Sequence, residues 1–124
     1  MSAAVSFTAP PPGFEPHVEF TLAAIDGADG LYSLTAAADR GLRVFVVDPA
    51  IYLPEYLPRF SAELLEAIGL GSAQDPQVLV VARPGGEATT VNLLAPVLLN
   101  PETGQGSQVI LSDQHWPVQA ELRA

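Results

Sequence analysis

Short apolar runs dominate the chain, and long helical stripes are missing. Residues 18–22 alternate between apolar and polar side chains, which is the period-two pattern of a half-buried β-strand. A second short strand is predicted over residues 31–34, after a glycine-containing turn. Residues 42–47 and 77–82 are continuous apolar runs rich in β-branched side chains and are followed by proline or glycine, which predicts strands covered on both faces.

The stretch 88–100 is the most informative part of the pattern. It contains Asn92, Pro96 and Asn100 within an otherwise apolar run. Proline lacks the N–H that a central strand needs, and an unsatisfied buried amide costs about 1–3 kcal/mol. The pattern therefore predicts a strand with a bulge or bend at Pro96, then a loop, then a return strand over 108–111. The two asparagines either satisfy backbone groups at the bend or act as polar anchors for a partner.

A single helix is predicted over residues 61–69. Ser61 suits the N-cap, Glu63 favours the positive helix start, and Gly69 suits the C-terminal stop. About seven short strands with one short helix predict an all-β, mainly antiparallel fold, either a compact barrel or a strongly curved sheet. The prolines at 10–12 predict a loose N-terminal segment over 1–12, followed by one domain over 13–124.

A proline-rich segment lies between the two covered strands. Pro49, Pro54 and Pro58 recur every four or five residues, a spacing that excludes a regular helix. Tyr52 and Tyr56 lie among them. Tyrosine offers apolar area with a hydroxyl, so the segment is either a lid over the core or a docking surface.

Charge and cysteine content narrow the function. The chain has 14 acidic residues, five arginines and no lysine, for a net charge of −9. It should therefore repel RNA and DNA, because nucleic-acid binding depends on Lys and Arg contacts to phosphates. The absence of cysteine excludes disulfides and thiolate metal sites and suits a reducing cytoplasm. No apolar run approaches the ~18 residues of a membrane span, and the N-terminus lacks the basic start of a signal peptide.

Catalytic and metal-binding constellations are weak. His17 and His115 are the only histidines, and no serine lies in a Gly-x-Ser-x-Gly elbow. His17 would face away from Glu15 and Glu19 in an extended chain, so these residues do not form a metal site. Glycines 85–86 fit a hairpin turn better than a phosphate loop. We therefore predict no enzymatic activity and no cofactor.

A set of ordered motifs resembles the FliW family of flagellar assembly factors. They are Pro-Pro-Gly-Phe-Glu at 11–15, Val-Val-Asp-Pro at 46–49 followed by Tyr52, Pro54 and Tyr56, Ile-Gly-Leu at 68–70, Thr-Val-Asn-Leu-Leu-Ala-Pro at 90–96, Asn-Pro-Glu-Thr at 100–103, and Gln-Val-Ile-Leu at 108–111. The motifs run from about residue 11 to residue 118. The segment before Leu31 and the C-terminal residues 119–124 depart from the family pattern.

The resemblance implies a function in the cytoplasm without catalysis. A FliW-like protein sequesters the translational regulator CsrA, which relieves repression of flagellin translation, and it also binds flagellin. The resemblance implies no direct contact with nucleic acid or membrane. The candidate protein-binding residues are Phe14, Glu15, Tyr52, Tyr56, Asn92, Val97, Leu98 and Asn100. The alternative is a small ligand-binding barrel or enzyme domain, which would require a deep polar cavity.

Overall fold

A computed structural model describes residues 2–71, 74–85 and 88–122. Within these residues the chain forms nine strands and two short helices. The elements in chain order are β1 (Ser2–Phe7), β2 (Glu19–Ala24), β3 (Leu31–Ala36), β4 (Arg43–Val47), α1 (Pro49–Tyr52), α2 (Ala62–Glu66), β5 (Gln77–Arg83), β6 (Thr89–Val91), β7 (Val97–Leu99), β8 (Gln105–Gln108) and β9 (Ala120–Leu122).

Seven of these strands close into a barrel. The order is β4-β3-β2-β1-β8-β7-β5, and pairing of β5 with β4 completes the ring. Among the described strands only β1 and β8 pair in parallel; every other pairing is antiparallel. β6 pairs with the C-terminal part of β5, and β9 pairs with β6 outside the ring. The predicted all-β, mainly antiparallel barrel is therefore confirmed.

The apolar residues divide between the inside and the outside of the barrel. Alternate residues of each strand point inwards, and Phe7 and Phe20 meet there edge to face with ring centroids 5.2 Å apart. On the outside, Val80 and Leu98 belong to two further clusters that include residues of the proline-rich segment and of α2. The strands β5 and β7 are thus covered on both faces, which explains the continuous apolar run over 77–82.

The N-terminus departs from the sequence prediction. A loose segment over 1–12 is wrong, because β1 pairs with β2 from Ser2 opposite Ala23 to Ser6 opposite Glu19. Val5 and Phe7 are buried in the barrel interior. The other residues of β1 are small, so the alternating pattern of a strand rests on Val5 and Phe7 alone. The prolines that follow at 10–12 favour an irregular segment instead.

The helices agree with the prediction in one case and correct it in the other. The Ser61 hydroxyl accepts a 3.2 Å hydrogen bond from the Leu64 N–H, so the predicted cap of α2 is confirmed. The helix α1 corrects the expectation of a single helix. Pro49 starts this turn, where a proline needs no N–H partner, and Asp48 caps it by accepting from the Ala50 N–H at 2.9 Å.

The stretch 88–100 forms two strands rather than one bent strand. Val91 lies opposite Ala82, and Val97 lies opposite Leu79. The chain therefore uses six residues to go from one pairing to the other, whereas β5 uses three. The additional residues form the bulge segment, 92–96. Two of its carbonyl groups, those of Pro96 and Leu94, accept hydrogen bonds from the N–H groups of Val109 and Leu111. The return strand itself is β8 at Gln105–Gln108, so it lies three residues before the predicted 108–111. The strand β9 has no counterpart in the sequence prediction.

Candidate protein-binding surface

Asn92 organises the bulge segment from within. Its side-chain oxygen accepts hydrogen bonds from the N–H groups of Leu94 and Ala95, each at 3.1 Å. Its own N–H donates to the Val81 carbonyl at 3.0 Å, which continues the β5 ladder by one residue. This is the structural alternative of the sequence analysis, in which the amide oxygen satisfies backbone donors at a bend.

Asn100 has the same kind of structural function in a more buried position. Only 3% of its surface is exposed. Its amide nitrogen donates to the Ile68 carbonyl at 2.8 Å, and its oxygen accepts from the N–H groups of Glu102 and Thr103 at 3.0 and 3.4 Å. The side chain therefore joins the turn after α2 to the loop before β8 and is not available to a partner.

Tyr56 is a lid residue rather than a docking residue. Its hydroxyl donates a 2.7 Å hydrogen bond to the Leu93 carbonyl, and its ring meets Trp116 edge to face at 4.7 Å. Burial raises the pKa of the Tyr56 hydroxyl well above its usual value. Tyr52 is half-buried and donates to the Asp29 carbonyl at 2.7 Å. The proline-rich segment thus covers the outside of the barrel.

Val97 and Leu98 are core residues, and their assignment to a docking surface is corrected. Val97 points into the barrel, where it is 2% exposed, and Leu98 points outwards into a cluster near α2, where it is fully buried. An apolar strand in a closed barrel has two buried faces when other segments cover its outside, so β7 offers neither face to solvent.

Phe14 and Glu15 lie at one end of the barrel. The Phe14 ring is half-buried and packs edge to face on Phe20, with centroids 5.7 Å apart. Glu15 is exposed, and its carboxylate accepts a 3.0 Å hydrogen bond from the Gly13 N–H. Phe14 thus closes part of the barrel end while staying partly exposed.

A groove of about 330 Å³ lies beside Phe14, and we call it the mouth groove. Val44 and Val81 form its floor, because both are half-buried and pack against the barrel interior. Ile110 and Val118 form part of its wall and are 66% and 54% exposed. Its remaining lining residues are Pro12, Arg83, Thr90, Val91, Asn92, Ala95, Gln108 and Gln119. Of the eight predicted site residues, only Phe14 and Asn92 meet at this groove.

Sequence reasoning missed Ile110 and Val118. A signal for Ile110 was present, since it lies between Val109 and Leu111, which are both buried. In an extended chain the residue between two core residues faces solvent, and a large apolar side chain in such a position is informative. Val118 belongs to a segment without strand periodicity, so nothing in the sequence marks it.

The described residues offer little for catalysis. Among them, no group of three or more His, Cys, Asp or Glu side chains could hold a metal ion. Arg83 is the only titratable residue that lines the mouth groove within the described part of the chain. His115 is exposed and lies beside a different, shallower hollow. In the same described ranges, no helix has the length and apolar character needed to cross a membrane.

Comparison with known proteins decides the family. The model of the FliW protein family matches residues 1–122. The chain belongs to the FliW family. It is 33% identical to the flagellar assembly factor FliW of Symbiobacterium thermophilum over 113 residues, which cover 89% of this chain and 82% of that protein. It is 30% identical to the FliW of Leptospira biflexa over 113 residues, covering 89% and 74% of the two chains.

A solved FliW structure has the same fold. The crystal structure of a flagellar assembly factor FliW superposes with a TM-score of 0.86 at 25% sequence identity, covering 95% of this chain and 84% of that one. Both the sequence comparison and the structure comparison thus support the family that the motifs suggested. They mark the barrel end at Phe14, the bulge segment and the loop after Asn100.

Proposed function

We propose that this FliW family member acts in the cytoplasm as a non-enzymatic regulator of flagellar assembly that binds two proteins. One is the RNA-binding translational regulator CsrA, whose sequestration relieves repression of flagellin synthesis. The other is flagellin, which competes for the same FliW molecule. The observation that carries the proposal is the family match over residues 1–122.

Electrostatics support the CsrA part of the proposal. The chain carries a net charge of −9, whereas a protein that binds RNA presents a basic surface to phosphates. An acidic body docked on such a protein is attracted to the basic surface and adds negative charge near the RNA path. Binding of this protein to CsrA should therefore weaken the binding of RNA to CsrA.

The mouth groove is the candidate contact surface for a protein partner. The groove provides apolar area on the surface of an acidic protein, through the exposed Ile110 and Val118 and the half-buried Phe14. Apolar side chains exposed at a groove are typical of protein contacts. A ligand-binding or catalytic barrel would instead need several convergent titratable groups, and among the described lining residues Arg83 is the only one.

A mobility-shift assay with CsrA and a target RNA tests the proposal. We expect no complex of this protein with RNA alone, and loss of the CsrA–RNA complex when the protein is added. Inhibition should weaken with rising salt, because the Debye length falls from about 8 Å at 0.15 M to about 3 Å at 1 M. A CsrA–RNA complex that stays intact at saturating concentrations of this protein would contradict the proposal. Inhibition that does not change with salt would show that the protein excludes RNA sterically and not through its charge.

The flagellin part is tested in the same assay. Added flagellin should restore the CsrA–RNA complex in proportion to the amount of protein it captures. Calorimetric titration of flagellin into the protein should show binding that prior saturation with CsrA abolishes. Simultaneous binding of both partners would contradict the competition.

A further inference from the structure

The outer face of β1, β2 and β3 is not covered by the rest of the described chain. Apart from Glu19, which lies opposite Ser6, and Leu31, which packs on the outer cluster near the proline-rich segment, its side chains are small. Those that are exposed or half-buried are Ala4, Ser6, Thr21, Ala23, Ser33 and Thr35. The outer faces of β5 and β7, by contrast, are covered by the proline-rich segment and α2. Small side chains on an open sheet allow another backbone to approach closely.

Two arginines lie at one side of this open face. Ala4, Thr21, Thr35 and Arg43 occupy directly opposed positions across β1, β2, β3 and β4, so they form a row on the outer face. Arg40 lies in the turn between β3 and β4. A hollow of about 430 Å³ is lined by Thr21, Ala23, Thr35, Ala36, Ala37, Arg40 and Arg43, and we call it the arginine hollow.

The hollow concentrates positive charge in an acidic protein. It holds two of the five arginines of a chain whose net charge is −9. Within the described residues neither guanidinium forms an ion pair with a carboxylate. Two carboxylates nearby form hydrogen bonds with neutral groups and not with the arginines: Glu19 accepts from the Ser6 hydroxyl at 2.8 Å, and Asp39 accepts from the Gly41 N–H at 3.1 Å.

Arg43 is also held in position before any partner arrives. Its guanidinium carbon lies 5.1 Å from the centroid of the Phe45 ring, which is a cation–π contact. Arginine binds a carboxylate through two parallel hydrogen bonds from its planar guanidinium group. A guanidinium that is already held in position loses less entropy when it forms these bonds. The hydroxyls of Thr21 and Thr35 add donors on the floor of the same hollow.

We propose that the arginine hollow binds an extended acidic segment of a partner protein. The carboxylates of the segment pair with Arg40 and Arg43 while its backbone lies along the small residues of the open sheet. The net charge of −9 repels any polyanion at long range. At 0.15 M salt, however, this repulsion is screened beyond a Debye length of about 8 Å. Binding is therefore local, and the hollow accepts a short acidic stretch rather than a long nucleic acid.

Fluorescence anisotropy with a labelled octapeptide of alternating Glu and Thr, at 0.15 M salt and with the full chain, tests this proposal. We expect saturable binding that the matching Gln–Thr peptide does not show. Arg43→Gln should weaken binding at least tenfold (about 1.4 kcal/mol), and Arg40→Gln should do the same. Arg43→Lys should recover only part of the affinity, since lysine keeps the charge but not the fork.

Arg59→Gln is the matched control, because it makes the same change in net charge at an exposed arginine away from the hollow. It should change the affinity less than twofold. Melting temperatures verify that each variant is folded. Arg40→Gln should change the melting temperature least, because Arg40 lies in an exposed turn. Equal losses in the Arg40, Arg43 and Arg59 variants, binding of the Gln–Thr peptide, or equally tight binding of a short RNA of the same charge would each overturn the proposal.

Discussion

The Tyr56 hydroxyl donates a 2.7 Å hydrogen bond to the carbonyl oxygen of Leu93, a residue 37 positions away in sequence. This bond ties the proline-rich segment to the bulge segment, and the Trp116 ring packs edge to face on the Tyr56 ring. Two segments that lie outside the barrel strands thus hold each other in place on the outside of the barrel.

Tyr56→Phe removes this bond while keeping the ring. The Leu93 carbonyl is then left buried without its partner, which costs about 1–3 kcal/mol. We expect a lower denaturant midpoint with an unchanged slope. Tyr52→Phe is the control, because it removes a bond of the same length to a carbonyl in a more exposed place and should cost less. Equal losses in the two variants would show that burial of the Tyr56 bond does not matter.

Alkaline unfolding tests the raised pKa of Tyr56. An unfolded tyrosine loses its proton near pH 10, whereas the folded residue keeps it to higher pH because burial disfavours the phenolate. The stability from this group is therefore complete below pH 10 and falls as the pH rises above it. The slope is about 1.4 kcal/mol per pH unit. Above pH 10, Tyr56→Phe should lose stability less steeply than the wild type, as measured by urea titrations at stepped pH; parallel curves would contradict the burial effect.

Local chemistry explains which parts of the fold the sequence could predict. Ser61 caps α2 through a hydrogen bond to a residue three positions away, and residues 18–22 alternate because β2 has one buried face. The Tyr56–Leu93 bond depends on a long-range arrangement that no local pattern encodes. The same holds for β1, whose signal is two apolar residues, and for the site, since Ile110 and Val118 meet only after the barrel closes.

The two asparagines respond differently to replacement by aspartate. At Asn92 only the side-chain oxygen makes hydrogen bonds among the described residues, so Asn92→Asp keeps both acceptor contacts and should cost little. At Asn100 the nitrogen also donates to the Ile68 carbonyl, so Asn100→Asp loses that donor and buries a charge. We expect Asn100→Asp to cost about 3 kcal/mol or more.

Thermal melts at pH 7 compare the two aspartate variants, and Asn92→Leu provides the positive control. That change leaves the Leu94 and Ala95 N–H groups without their acceptor and should cost about 1–3 kcal/mol. If Asn92→Leu melts like the wild type but no longer binds CsrA or flagellin, Asn92 contacts the partner and does not act mainly through the fold.

Gly104 should tolerate no side chain. Its φ is +80°, and a Cβ built on it would lie 2.5 Å from the Ala4 carbonyl oxygen, where the loop before β8 approaches β1. Gly27 has nearly the same φ, +81°, but an added Cβ there would meet nothing within 4 Å. Gly27→Ala should therefore cost only the backbone strain, about 1–2 kcal/mol, and Gly104→Ala should cost clearly more. Equal denaturant midpoints for the two variants would show that the approach of Ala4 relaxes without cost.

The mouth groove gives the most direct test of where a partner binds. Ile110 is 66% exposed, so Ile110→Ser removes apolar area from the groove with little loss of stability. Leu57 is 75% exposed but lies outside the groove, which makes Leu57→Ser a control of matched chemistry. If the groove is the contact surface, Ile110→Ser should weaken CsrA or flagellin binding at least tenfold, about 1.4 kcal/mol, while Leu57→Ser leaves it unchanged. Calorimetry measures both affinities, and melts of both variants should stay close to the wild type. The reverse result would place the contact beside Leu57, on the proline-rich segment, and would restore that segment as the docking surface.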